Sequence, residues 1–325
     1  MLTYLIRRII YAIPILIGVN VITFILFFAV NTPDDMARMQ LGQKYVTPTM
    51  IEQWKSEHGY DKPLFYNSQA FGIKKITDTL FFQRSLKLFA FDFGKSDAGR
   101  AIGFDIKQRM WPSLAIAVPT LVLGLLVHIS FAMLMVFFRR TYLDTWGMLI
   151  CIVMLSISAM FYIIGGQYLF AIILQLVPIS GYMSGGLAFK FVALPVLVGI
   201  ISAMGADVRW YRTLFLEESE KDYVKTARSK GLSELRVLFK HLLKNAMLPI
   251  LTGVVVIIPT LFMGSLILES FFAIPGLGSY TIDAIHNQDF AIVRVMVYLG
   301  TFLYILGLIL TDISYTLVDP RVRLE

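Results

Sequence analysis

Gly94-Lys95-Ser96 is the first place in this sequence where backbone and side chains together could hold a phosphate. A Walker-type loop needs another glycine five residues ahead, so that backbone N–H groups can wrap the phosphates, and that position is Phe89. The spacing excludes such a site. Other chemistries fail on the same test. His58, His128, His241 and His286 lack the spacing of metal ligands. Cys151, the one cysteine, lies in an apolar run, can form no internal disulfide and reads as a small hydrophobe. No catalytic triad, paired-carboxylate site or dinucleotide loop is found. The chain reads as non-enzymatic, with no cofactor or metal of its own. What stands out instead is Asp222 to Pro249, DYVKTARSKGLSELRVLFKHLLKNAMLP, the most charged segment in a largely apolar chain.

Of 325 residues, 57% are hydrophobic and 16% charged, and the mean hydropathy is +0.71. A soluble domain carries nearer a quarter charged residues. So much apolar surface cannot be hidden in a core of this size, so the solvent is lipid. The net charge of +7 fits basic loops on the cytoplasmic side. Nucleic-acid binding is excluded, because no basic stripe is interleaved with exposed aromatics.

The elements that must position the charged segment are apolar spans. Arg7 and Arg8 precede the first, Ile9 to Val30, roughly 33 Å of helix at about 1.5 Å per residue. It is too long for a secretory signal and reads as an uncleaved span with the N-terminus in the cytoplasm. Residues 31–112 form an external insert. Within it Thr47, Pro48 and the pair Thr49/Glu52 predict a helix start, and Gly59 a stop. Lys74 to Leu88 predicts an amphipathic stretch, either at the membrane surface or packed as a lid. Further spans are expected at Ser113–Phe138, Trp146–Leu174, Phe191–Ala206, Met247–Phe271 and Val295–Leu317, six in all, the fourth being short unless it tilts or continues past Asp207, with an external loop from Phe272 to Arg294. Arg139/Arg140, Arg209 to Lys244 and Arg321/Arg323 then fall on the cytoplasmic side, and both termini with them. Gly165, Gly166 and Gln167 interrupt the third span, and suit either a translocation pathway or close helix packing. The expected class is an all-α membrane protein of one domain, with residues 207–246 as a cytoplasmic loop.

In that loop Glu217 to Lys230 favour helix, Gly231 breaks it and Ser233 can cap a second helix. Leu235, Leu238, Phe239 and Leu242 have the spacing of one apolar helical face. Pro249 suits the first turn of the next span. A short helix offering Tyr223 and Ala227, held by a glycine turn and an anchored second helix, would move as a rigid body. It suits either transmission of force or an ordinary solvated loop.

The segment resembles the EAA loop of ABC importer permeases, in the dipeptide/oligopeptide branch. Lys225, Thr226 and Ala227 stand in its place, followed by Gly231 at the expected spacing and by Asn245, Ala246 and Pro249. Lys225-Thr226 depart from the literal Glu-Ala. Five further stretches resemble that branch in order: Gly59-Tyr60-Asp61-Lys62-Pro63, Asp92-Phe93-Gly94-Lys95-Ser96, Pro178-Ile179-Ser180-Gly181-Tyr182, Ile274-Pro275-Gly276-Leu277-Gly278 and Asp319-Pro320-Arg321. The stretch Ser158 to Phe161 lacks a proline common there. The resemblance implies a type I importer permease of the bacterial inner membrane, embedded in membrane lipids. It would pair with a homologous second permease and supply half of a peptide pathway. Two ABC ATPase subunits would carry ATP and Mg, and a periplasmic or lipid-anchored solute-binding protein would deliver cargo. Asp222, Tyr223, Lys225, Thr226, Ala227, Arg228, Lys230 and Gly231 would couple to the ATPases, and Gln167, Gly165 and Gly166 would line the pathway. The alternative is a stand-alone secondary transporter or channel, which would need ionisable groups within the spans.

Overall fold

The structure is a computed structural model and describes residues 2–30, 32–42 and 46–318. The regular elements among them are helices, joined by one isolated antiparallel bridge between Lys95 and Ala101. Five helices are long and apolar enough to cross a membrane, or six if one bent pair counts as a single span. The chain divides into two compact units.

The first unit comprises described residues of 1–108 and 281–305. It contains α1 (Leu2–Val30), α2 (Pro33–Leu41), α3 (Pro48–His58), α4 (Lys74–Thr77), α5 (Leu80–Arg84) and a 3-10 turn, Leu86–Ala90. Helix α2 starts in a capping box between Thr32 and Asp35. Helix α3 starts and stops where the sequence predicts: Pro48 is its first residue and Gly59 ends it with φ 67°, although Thr47 and not Thr49 supplies the cap. Phe24 and Phe28 of α1 are buried with Trp54, Tyr60 and Leu80. Asn20 Nδ2 donates to the Ser85 carbonyl at 2.9 Å. The expected amphipathic stretch from Lys74 is not one helix. Thr79 is extended and caps α5, dividing the stretch into three short pieces that bury Leu80 and Leu88 and leave Ile76 exposed.

The second unit comprises described residues of 109–280 and 306–324. Helix α6 (Ile102–Phe137), which the two units share, begins well before the expected Ser113, so the expected end of the insert lies inside a helix. The third span is broken. Helix α7 (Tyr142–Ser156) ends where Ile157 and Ser158 become extended, and α8 (Ala159–Gly166) leaves at 93°, passing into a π turn, Gln167–Ile173. No proline marks this bend; Ser156 Oγ donates to the Ile152 carbonyl, and Tyr162 Oη reaches back across the break to the Met154 carbonyl, which also accepts from the Ile157 N–H. Helix α9 (Ala188–Ser219) continues far beyond the expected Ala206. After α10 (Asp222–Ser229) and α11 (Glu234–Arg236) a π turn, Val237–Leu243, leads into α12 (Lys244–Thr260), so Pro249 sits inside a continuing helix and not in a first turn. Gly264, at φ 69°, ends a 3-10 turn and separates α12 from α13 (Leu266–Phe271). The expected external loop contains α14 (Leu277–His286), and α15 (Phe290–Val318) closes the described chain. Asp319-Pro320-Arg321 and Arg323 lie outside the described residues.

Candidate functional site

Helix α10 is short but two-faced. It does not continue from Glu217 as expected: Lys221 is extended and acts as its N-cap. Val224 and Ala227, three residues apart, point inward and are buried in one apolar cluster with Val237, Leu238 and Leu242. Asp222, Lys225, Thr226 and Ser229 occupy the opposite, exposed face. Lys225 Nζ lies 2.9 Å from Asp222 Oδ1, and this hydrogen bond holds the Asp222 carboxyl below its usual range. Tyr223 is half-buried. Its hydroxyl donates to Glu218, which also pairs with Lys221 at 2.6 Å. Burial pushes the Tyr223 phenol up to about 12, with the neighbouring Glu218 carboxylate adding to the effect. Gly231 has φ 75° and its N–H donates to the Arg228 carbonyl at 2.9 Å. Lys230 is exposed beside it.

The residues expected to couple therefore divide. Asp222, Lys225, Thr226, Arg228, Lys230 and Gly231 are exposed, whereas Ala227 is only 5% exposed and offers a partner no surface. The four residues expected on one apolar face of the following segment divide between buried and exposed positions. Leu238 and Leu242 are buried, but Leu235 and Phe239 are 58% and 61% exposed and Val237 takes an inward place. The π turn is the cause, because its wider i→i+5 pattern shifts the facing residues by one.

Gln167, Gly165 and Gly166 sit at the α8 end of the broken span. Gln167 Nε2 donates to the carbonyls of Ile179 and Phe271, at 3.0 and 3.2 Å, tying three segments together. A side chain at Gly166 would press on Val198, whereas Gly165 faces open space. A cavity lies elsewhere in this unit. A groove of about 530 Å3 lies between α6, α9 and α12. From Ser113 to His128 it follows α6 for about 22 Å, at about 1.5 Å per residue. Its walls are mostly apolar. Toward one end His128 meets Asp207: Nδ1 is 3.0 Å from Asp207 Oδ2, and Nε2 is 3.0 Å from the Ile200 carbonyl.

At the other end a buried carboxylate organises the backbone. Glu269 is wholly buried and accepts from the N–H groups of Ser265 and Ser279, both at 3.1 Å. Ser113 Oγ accepts from the Leu277 N–H at 2.8 Å. The glycines of Ile274-Pro275-Gly276-Leu277-Gly278 follow from this: a Cβ on Gly276 would fall on the Glu269 carboxylate, and one on Gly278 on the Ser265 backbone.

Two family models cover most of this frame. The model described as the binding-protein-dependent transport system inner membrane component matches residues 128–324, and that of the N-terminal part of such membrane components matches 1–113. The chain belongs to this family. Among its relatives is a Brucella abortus (strain 2308) protein, provisionally named a peptide transport system permease protein, 30% identical over all of both chains. The oligopeptide transport system permease protein AppB of Bacillus subtilis (strain 168) is 27% identical over 99% of this chain and 100% of its own. The dipeptide transport system permease protein DppB of Escherichia coli (strain K12) is 28% identical over 99% of each.

For a transport-system membrane component, the exposed face of α10 and the groove are the two places of interest. Sequence reasoning reached the first. It named neither His128 nor Asp207 as a site residue. The available signal was the spacing of Asp207, Trp210 and Tyr211, one carboxylate and two aromatics within two helical turns.

Proposed function

We propose that this chain is the permease subunit of an ABC importer for peptides, forming half of a pathway together with a homologous second permease. The cargo class rests on the printed names of the three relatives given above, each named as a peptide, oligopeptide or dipeptide permease. The coupling role rests on one observation, the outward face of α10. Asp222, Lys225, Thr226 and Ser229 stand in water on a helix whose other face is locked into the apolar cluster. A soluble ATPase gripping that face would move the cluster with it, and the cluster includes residues of α6, α9 and α12. Two ATPase subunits, a solute-binding protein above and cytoplasmic termini complete the reading. Gly165, Gly166 and Gln167 serve the pathway by shaping the bent span, with the groove between α6, α9 and α12 as its wall. For alternating access, ATP-bound partners must favour one state by about 5.5 kcal/mol for a near-complete switch.

The test is cysteine crosslinking at Thr226. Cys151 is buried, so a single added thiol is the accessible one. Thr226→Cys in the assembled transporter should crosslink to an ATPase subunit, and the yield should change when ATP is bound. A chain that purifies alone from gentle detergent, without ATPase or second permease, and still transports would show the stand-alone alternative to be right.

A further inference from the structure

Asp207 is a carboxylate on a helix long and apolar enough to span a membrane, and its side chain is 45% exposed on the groove wall. Ionisable groups at such a depth are costly and are retained where they meet a partner or a passing solute. Among the described residues, His128 is the hydrogen-bond partner of the Asp207 carboxylate. His128 is buried, and its Nε2 donates to the Ile200 carbonyl, which fixes the ring. Its Nδ1 lies 3.0 Å from Asp207 Oδ2. That contact orients the carboxylate and occupies one oxygen. No hydrogen bond is recorded for the other oxygen among the described residues.

The neighbours on α9 select what could use it. Trp210 lies three residues on, so its indole shares a helical face with Asp207. It also lines the groove, and it is about half exposed. A carboxylate beside an aromatic face, in a cavity that is otherwise apolar, suits a cation: the carboxylate accepts ammonium hydrogen bonds and the ring attracts positive charge. The mostly apolar remainder of the wall leaves room for aliphatic side chains.

We infer that Asp207, oriented by His128 and flanked by Trp210, is a station in the groove for the ammonium group of a passing solute. The carboxylate would sit between the imidazole and the ammonium. This rests on the proposed peptide importer, and names the free amino terminus or a basic side chain as the part of the cargo recognised within the permease.

The experiment uses the assembled transporter in lipid nanodiscs without binding protein, so that the permease alone is probed. Trp fluorescence is titrated with alanyl-alanine amide, a cation without a carboxylate, and with its N-acetyl form, which is neutral. The cationic probe should give a saturable change that Trp210→Phe abolishes, and the acetylated probe should bind at least about tenfold more weakly. Asp207→Asn should bring the cationic probe to the weaker value and leave the acetylated one unaltered. Equal responses of the unaltered protein to the two probes would overturn the inference, and that comparison needs no variant to fold. So would a cationic preference that survives Asp207→Asn. ATP-driven peptide uptake is measured on the same preparation with binding protein restored. Uptake without ammonium preference refutes this station alone, whereas absent uptake with intact ATPase contact refutes the importer reading.

Discussion

Arg228 and Glu234 meet in a two-pronged ion pair across the turn at Gly231, Nε to Oε1 at 2.8 Å and Nη2 to Oε2 at 3.2 Å. The pair joins α10 to α11 outside the apolar cluster, so the charged edge of α10 is braced independently of its buried face. Both side chains are about half exposed, and such pairs contribute less than about 1 kcal/mol. Glu234→Gln should therefore leave the melting temperature of the assembled transporter nearly unaltered. Gly231→Pro is a different case. Its φ of 75° is closed to proline, and its N–H, which donates to Arg228, would be gone. We expect normal membrane insertion with transport lost. Uptake at the original rate would show that the turn transmits nothing.

The two faces of α10 should respond oppositely to mutation. Ala227→Leu adds bulk to a packed cluster and should cost about 1–3 kcal/mol, seen as a lower melting temperature in detergent. Thr226→Arg changes only the water-facing side. It should leave melting within about 0.5 kcal/mol of the original while reducing the ATPase that co-purifies. If Thr226→Arg retained its ATPase and Ala227→Leu alone lost it, the docking face would have been assigned to the wrong side.

Tyr223 makes α10 sensitive to alkaline pH. Its phenol is raised from 10 to about 12, chiefly by burial, so the fold holds the neutral form. The sign follows from linkage: the stabilisation is fully present below pH 10 and is lost as pH rises from 10 to 12. A phenolate absorbance titration of the original protein minus Tyr223→Phe should give a midpoint near 12. A midpoint near 10 would mean that the hydroxyl is in water and free of Glu218.

What the sequence revealed and what it concealed divide along physical lines. Long apolar runs and the caps at Thr47 and Gly59 were legible, because both are local signals. The phase of the apolar face that follows α10 was not, since a π turn leaves no composition signature and moves Leu235 and Phe239 outward. The bend at Ile157 and Ser158 was missed because no proline marks it. The groove was missed for a third reason. His128 and Asp207 are far apart in sequence, and only the packing of α6 against α9 brings them to 3.0 Å.

Glu269 provides the last test, because one carboxylate holds the turn between α13 and α14. Glu269→Ala would leave the N–H groups of Ser265 and Ser279 buried without an acceptor, at a cost of about 1–3 kcal/mol for each. Gly276→Ala should cost a similar amount by another route, as its methyl would displace the same carboxylate. The two changes attack one interaction, so their combination should destabilise by clearly less than their sum. Melting of the four proteins in detergent measures this. Full additivity would mean that Gly276 is small for some reason other than room for Glu269, and the latch would lose its explanation for the glycines of the loop.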